Sequence, residues 1–203
     1  MTSLSSADER ALKEILISGF GGQGVVLAGQ ILGKAASLGD HKECTLTQSY
    51  GPEARGGACS AQVIIAEATI HYPYVRRPDI LVCLSQGGYD KYGSQLKEDG
   101  TLLVDGDLVR SADLSAPNSF AIPSTRMAEE LGRRMMANIV MLGFLTAITE
   151  AVTVDAMRTA VTRSVPKGTE ELNLTAFNKG HDFGLATLKG RRKKACGQGG
   201  AQP

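Results

Sequence analysis

The 203-residue chain predicts an α/β domain in three layers, a mostly parallel sheet with helices on both faces. Three observations carry that expectation. Short apolar and β-branched runs alternate with stretches of helical periodicity through the first half. Twenty-four glycines, 5% aromatics and no Trp suit tight turns and close backbone approach rather than a β-sandwich. A hydrophobic share of 42% supplies a core for one domain of this length.

The elements follow in order. Ile15–Ser18 reads as a short buried strand that runs at once into Gly19-Phe20-Gly21-Gly22-Gln23-Gly24. From Gln23 to Ser37 apolar residues recur at Val25, Ala28, Leu32 and Ala35, which predicts a mostly covered helix. A second strand is expected over Glu43–Thr47, then a loop over Gln48–Ala58. Cys59–Ile65 alternates as a strand, with Thr69–Tyr72 as a candidate hairpin partner. Asp79–Leu84 is almost continuously apolar, as in a parallel strand covered on both faces. Ser85 suits an N-cap for a helix running towards Lys97.

Thr101–Val104 and Phe120–Ile122 are two more short strands, and Ser124–Arg134, Asn138–Glu150 and Asp155–Arg163 are helical. The middle helix is apolar nearly all round, so it lies in the core or under a partner. Asn173–Leu188 is expected as the last helix. A single domain over 1–188, followed by a basic disordered tail over 189–203, is the simplest organisation.

Charge excludes some functions. The formal total is +1, yet Lys189, Arg191, Arg192, Lys193 and Lys194 stand at the end with no acid after them. Taking those five from the total leaves −4 for 1–188, so the body is mildly acidic and unlike a nucleic-acid binder. Met1–Arg10 is polar and unlike a secretory leader, and the longest apolar stretch, Ile139–Thr149, is short for a membrane span. A cytoplasmic protein without membrane or nucleic-acid partners is expected. Cys44, Cys59, Cys83 and Cys196 form no C-x-x-C pair, and the three histidines are scattered, so no metal or cluster site is expected on this chain.

Two glycine-bounded loops carry the candidate chemistry. Gly19-x-Gly21-x-x-Gly24 sits between a strand and a helix, where the fingerprint of a Rossmann-like domain places a phosphate against a helix N-terminus. The acid that should hold the ribose some 20 residues on is missing, since that region reads Leu46-Thr47-Gln48-Ser49. Gly24 is followed by Val25 rather than Lys-Ser/Thr, so the loop is not a P-loop. Three readings stay open: bound NAD or FAD, a purely structural turn, and contact with another phosphate-bearing ligand or a partner subunit.

The second loop runs Gln48-Ser49-Tyr50-Gly51-Pro52-Glu53-Ala54-Arg55-Gly56-Gly57. Gly-Pro opens a turn and Gly-Gly closes the loop where other residues would be strained. Arg55 either braces Glu53 within the loop or meets a carboxylate or phosphate from outside.

Together these residues resemble the gamma subunit of the 2-oxoacid:ferredoxin oxidoreductases, the pyruvate, ketoisovalerate and 2-oxoglutarate group. The resemblance rests on Gly19–Gly24 with Val25, on Tyr50–Gly57, and on Arg77-Pro78-Asp79 before the apolar strand. Leu84-Ser85-Gln86 with Tyr89, and Ala137-Asn138 with Met141-Leu142-Gly143, complete it in order across Glu14 to Asp182. Ser49–Gly57 is most similar to the 2-oxoglutarate and branched-chain type.

The resemblance implies oxidative decarboxylation of a 2-oxo acid with coenzyme A, giving acyl-CoA and reduced ferredoxin. It implies thiamine diphosphate and Mg²⁺ between alpha and beta subunits, and [4Fe–4S] clusters on beta or on a ferredoxin-like delta chain. This chain is then a cofactor-free member of the complex, inactive alone and without catalytic residues. Its candidate site is Gly21, Gly22, Gln23, Gly24, Tyr50, Glu53, Arg55, Gly56 and Gly57, lining a coenzyme A channel or a subunit junction. The alternative is a stand-alone NAD- or FAD-binding redox or regulatory domain.

Overall fold

The computed structural model describes residues 12–50 and 58–197. Six strands form one sheet: β1 (Leu12–Phe20), β2 (Glu43–Tyr50), β3 (Ala58–Ala66), β4 (Ile80–Cys83), β5 (Thr101–Asp105) and β6 (Ser119–Ile122). Their order across the sheet is β2-β3-β1-β4-β5-β6. β1 is parallel to β4, β4 to β5 and β5 to β6, while β3 is antiparallel to both its neighbours. Five strands therefore point one way and β3 alone opposes them, which makes the sheet mostly parallel.

The helices are α1 (Val25–Lys34), continued by a π turn over Ala35–Gly39, α2 (Gln86–Tyr92), α3 (Ser124–Glu130), α4 (Ala137–Thr149), α5 (Val154–Ser164) and α6 (Glu170–Gly197). The larger core joins α1, α4, α5 and α6 to one face of the sheet through Ile15, Ile17, Ile31, Leu32, Val63, Val82, Phe144 and Phe177. A smaller one on the other face gathers Leu16, Leu81, Cys83, Leu102 and Val104 beneath Val75, Tyr89 and Tyr92. Strand residues thus alternate between two covered faces, the reason the parallel runs are apolar throughout. Among the described residues no helix is long and apolar enough to cross a membrane.

Two expectations need correcting. Thr69–Tyr72 forms no strand with β3, because β3 already has β1 on one edge and β2 on the other and offers none to a hairpin partner. The last helix does not stop at Leu188. It runs to Gly197, so residues 189–197 of the expected disordered tail are helical. Arg191 explains the extension. Its guanidinium stacks 3.9 Å from the centre of the Phe120 ring and donates to the carbonyls of Pro117 and Ser119, tying the helix to β6.

Ser85 does cap its helix, its hydroxyl accepting from the Gly88 N–H at 3.2 Å. Ser85→Ala should therefore cost about 1 kcal/mol. Urea titration of the variant checks this, and an unchanged midpoint would mean that the cap is idle.

Candidate functional site

All the loops of interest leave the sheet at its carboxyl end. Ser18 pairs with Cys83 and Cys83 with Val104, so β1, β4 and β5 finish level. On the other side, Tyr50 pairs with Cys59 and Cys59 with Gly19, so these three form one row across β2, β3 and β1. Both ends of the 51–57 segment, Tyr50 and Ala58, thus lie at the same edge as Gly19–Gly24, only about 10 Å apart across two strand spacings. Tyr50 is 64% exposed, and its hydroxyl donates to Gln48 Oε1 at 3.4 Å. Glu53, Arg55, Gly56 and Gly57 lie outside the described residues.

The first loop is locked by one side chain. Gln23 Oε1 accepts from the Phe20 N–H at 2.6 Å, and its Nε2 donates to the Leu84 carbonyl at 2.7 Å. The backbone adds Gln23 N–H to the Phe20 carbonyl at 3.1 Å. Gln23 therefore spans the gap between the ends of β1 and β4, where chains diverge to opposite faces and an open α/β sheet usually takes its ligand.

Gly19 must be glycine, since a Cβ there would lie 2.6 Å from Gln23 Oε1 and 2.9 Å from Val25 Cγ2. Gly24 sits at φ 71°, ψ 27°, a left-handed conformation that favours glycine, and a Cβ on it would run into the Asn138 amide. That amide donates to the Gly24 carbonyl at 3.1 Å, fastening the loop to the start of α4.

The three helices that begin at this edge are finished differently. α2 is capped by Ser85. α3 has no cap of its own, and Asp105 supplies one from the end of β5. Asp105 is wholly buried: Oδ2 accepts from Ser124 Oγ at 2.5 Å, Thr125 N at 2.9 Å and Thr125 Oγ1 at 2.6 Å, while Oδ1 accepts from Asp107 N at 3.0 Å. α1 starts at Gly24 with no side-chain cap. Its first N–H groups lie at the positive end of the helix dipole, the chemistry that suits an anion.

A cleft of about 140 Å³ opens beside it, lined by Gly22, Gln23, Asp105, Thr125, Arg134 and Met135. Arg134 is exposed, paired among the described residues with Glu129 at a long 3.7 Å, and Met135 is 78% exposed. The arrangement offers peptide N–H groups, an exposed cation and an apolar lip, which suits an extended ligand with phosphate at one end. Its hydroxyl beside a carboxylate, Thr125 against Asp105, belongs to the cap of α3. A wider hollow of about 650 Å³ lies near the start of β2, where Asp40 accepts from the Thr153 N–H and hydroxyl and Lys42 pairs with Glu67.

The described thiols are raised by burial. Cys44 is pushed up to about 11 and Cys83 to about 12, both by burial, so each stays protonated at neutral pH. Among the described residues no three His, Cys, Asp or Glu side chains gather as metal ligands.

The sequence singled out the two glycine loops as the candidate site, and Asn138 only within a family motif; it did not point to Arg134, Asp105 or Thr125, which line the cleft. One signal was available. An acid does end an apolar strand, but that strand is β5 rather than β2, and its carboxylate is consumed by α3.

The family described as pyruvate ferredoxin/flavodoxin oxidoreductase matches residues 14–183. The chain belongs to that family. It is of the gamma-subunit type, similar to the 2-oxoglutarate synthase subunit KorC of Methanocaldococcus jannaschii, 55% identical over 84% of this chain and 92% of that one. In structure it is similar to the gamma subunit of a keto/oxoacid ferredoxin oxidoreductase from Geobacter sulfurreducens. The TM-score is 0.75 at 42% identity, over 86% of this chain and 99% of that one. It is also 31% identical, over 87% of its length, to the ketoisovalerate oxidoreductase subunit VorA of Methanothermobacter marburgensis, where the match takes up 37% of a longer chain. Matches to complete gamma-type subunits set aside the stand-alone dinucleotide-binding domain. The absent ribose acid and the Gln23 bridge across the crevice agree with that.

Proposed function

We propose that this chain is the gamma subunit of a cytoplasmic 2-oxoglutarate:ferredoxin oxidoreductase, and that its glycine-loop edge receives the phosphate-bearing part of coenzyme A. The substrate follows the KorC relative. The observation that carries the coenzyme A role is the uncapped start of α1 at Gly24, next to a cleft lipped by Arg134 and Met135. Gln23 keeps the loop in shape, the N–H groups meet phosphate oxygens, and Arg134 closes over them as a counter-ion. Tyr50 and the 51–57 segment, with Glu53, Arg55, Gly56 and Gly57, form the neighbouring wall or the junction with the next subunit.

Thiamine diphosphate with Mg²⁺ on the alpha and beta subunits supplies the carbanion chemistry, and [4Fe–4S] clusters on beta or a delta chain pass electrons to ferredoxin. The residues of this chain bind and orient the acyl acceptor; they take no part in bond breaking.

In the complex purified without oxygen from its native source, Arg134→Ala and Gln23→Ala should each raise the KM for coenzyme A about tenfold. For Arg134 that is the loss of one charge-assisted contact, on the order of 1.5 kcal/mol, and for Gln23 the loss of the loop shape that presents the N–H groups. The KM for 2-oxoglutarate should not move. An intact complex with an unaltered coenzyme A KM would end the coenzyme A role.

A further inference from the structure

The segment between β3 and β4, residues 67–79, crosses the sheet face that also carries α2, and it ends in a cluster the site does not use. Tyr72 and Tyr74 are 50% and 54% exposed, their rings edge-to-face at 5.5 Å, and the Arg76 guanidinium lies 4.6 Å over the Tyr72 ring. The backbone beneath is fixed. Val75 N–H donates to Gln62 Oε1 at 2.9 Å, Arg76 N–H donates to Glu14 Oε1 at 3.2 Å, and the Val75 side chain joins the smaller core. Two large amphipathic rings are thus held outward on a rigid support, the arrangement that binds with little loss of side-chain freedom.

The charges around the rings point outward too. Glu14 and Asp79 are the nearby acids, and both are engaged. Lys97 Nζ pairs with Glu14 at 3.3 Å and Asp79 at 2.7 Å, while Asp79 Oδ2 accepts from the Glu14 N–H at 2.7 Å. Among the described residues neither Arg76 nor Arg77 has an ion-pair partner, although the body carries net negative charge. A basic, aromatic patch on an acidic protein is complementary to a carboxylate-bearing surface.

We infer that Tyr72, Tyr74, Arg76 and Arg77 form the docking surface for a larger subunit of the same oxidoreductase, one that presents carboxylates to the arginines. This rests on the proposed function. What favours that occupant over a second copy is the VorA relative, in which the matching unit takes up 37% of the chain and is continuous with the rest. In a complex built with a KorC-type subunit the same neighbours are other subunits, held by surface contact. The patch leans against the amino-terminal part of β1 through Glu14, whereas the glycine loops leave the opposite end. Docking there leaves the coenzyme A edge accessible.

The experiment uses the complex assembled with a tagged copy of this chain. Tyr72→Ala/Tyr74→Ala and, separately, Arg76→Glu are followed by size-exclusion chromatography at graded salt, with thermal melts of the isolated chain beside them. Each variant should lower retention of the larger subunits at least tenfold, with the melting temperature of the isolated chain unchanged. Tyr72→Phe/Tyr74→Phe, which keeps the rings, should keep the complex. Wild-type assembly should weaken with salt and the Arg76→Glu remnant should not.

Full retention of the larger subunits by both variants would overturn the inference. So would a wild-type chain that self-associates through this patch, shown by variants that become monomeric while the complex stays whole. If Arg134→Ala still shifts the coenzyme A KM, the interface alone has failed. If the wild-type chain recruits no larger subunit, the underlying function has failed as well.

Discussion

Gly143→Val is expected to lower the melting temperature by roughly 6–12 °C, from about 3 kcal/mol of overpacking at about 2–4 °C per kcal/mol in a chain of this size. α4 and α6 cross with their backbones in contact. A Cβ on Gly143 would strike the Phe177 carbonyl and come within 2.8 Å of the His181 nitrogen, and one on Gly180 would strike the Val140 carbonyl. One turn further along α6, a Cβ on Gly184 would lie 2.6 Å from the Ala147 methyl. Backbone cannot rotate aside as a side chain can, so the helices must separate, and the edge-to-face pair Phe144–Phe183, 5.9 Å between centres, goes with them. Gly190 is the control: nothing lies within 4 Å of its missing Cβ, and Gly190→Ala should leave stability equal or higher by about 0.5–1 kcal/mol. Thermal unfolding by circular dichroism separates the two. A Gly143→Val protein melting with the wild type would mean that the helices are not in backbone contact.

Asp105→Ala should cost about 3 kcal/mol or more and impair the site as well. The substitution leaves the buried Ser124 and Thr125 hydroxyls and the Thr125 and Asp107 N–H groups without their common acceptor, at about 1–3 kcal/mol for each group left unsatisfied. Water entering the space recovers part of that, so the sum of four is an upper limit. α3 loses the only side chain that caps it, and the Arg134–Met135 lip that follows loses its support. The expected result is a lower urea midpoint together with a coenzyme A KM raised further than by Arg134→Ala alone. Asp105→Asn keeps an acceptor oxygen and should fall between the two. A variant with wild-type stability would show that this carboxylate does not organise the edge.

The legible features were the local ones. The strand–glycine–helix passage at Ile15–Ser37 was visible because turn residues and periodicity are set by neighbours in sequence. Ser85 was visible as a cap because its partner is Gly88, three residues on. The Gln23 lock depends on Leu84, and the Gly24 clamp on Asn138, 114 residues away; no local pattern reports such contacts. The same limit explains the corrected hairpin and helix end. Whether β3 has an edge free depends on β1 and β2, and whether a basic stretch stays helical depends on Phe120 being in reach of Arg191.

By itself the sequence determined the layered α/β class and the Gly19–Gly24 turn between strand and helix. Composition and short-range periodicity are enough for those. Only the tertiary structure decided that α4 is core, with Asn138–Ala147 buried under α6, rather than a face awaiting a partner. Only it placed Arg134 and Asp105 beside the glycine loop and turned Tyr72, Tyr74 and Arg76 outward on a pinned segment. The physical reason is the same throughout. An apolar or charged residue states what it needs, burial or a counter-charge, but which distant residue meets the need is settled only when the chain closes on itself.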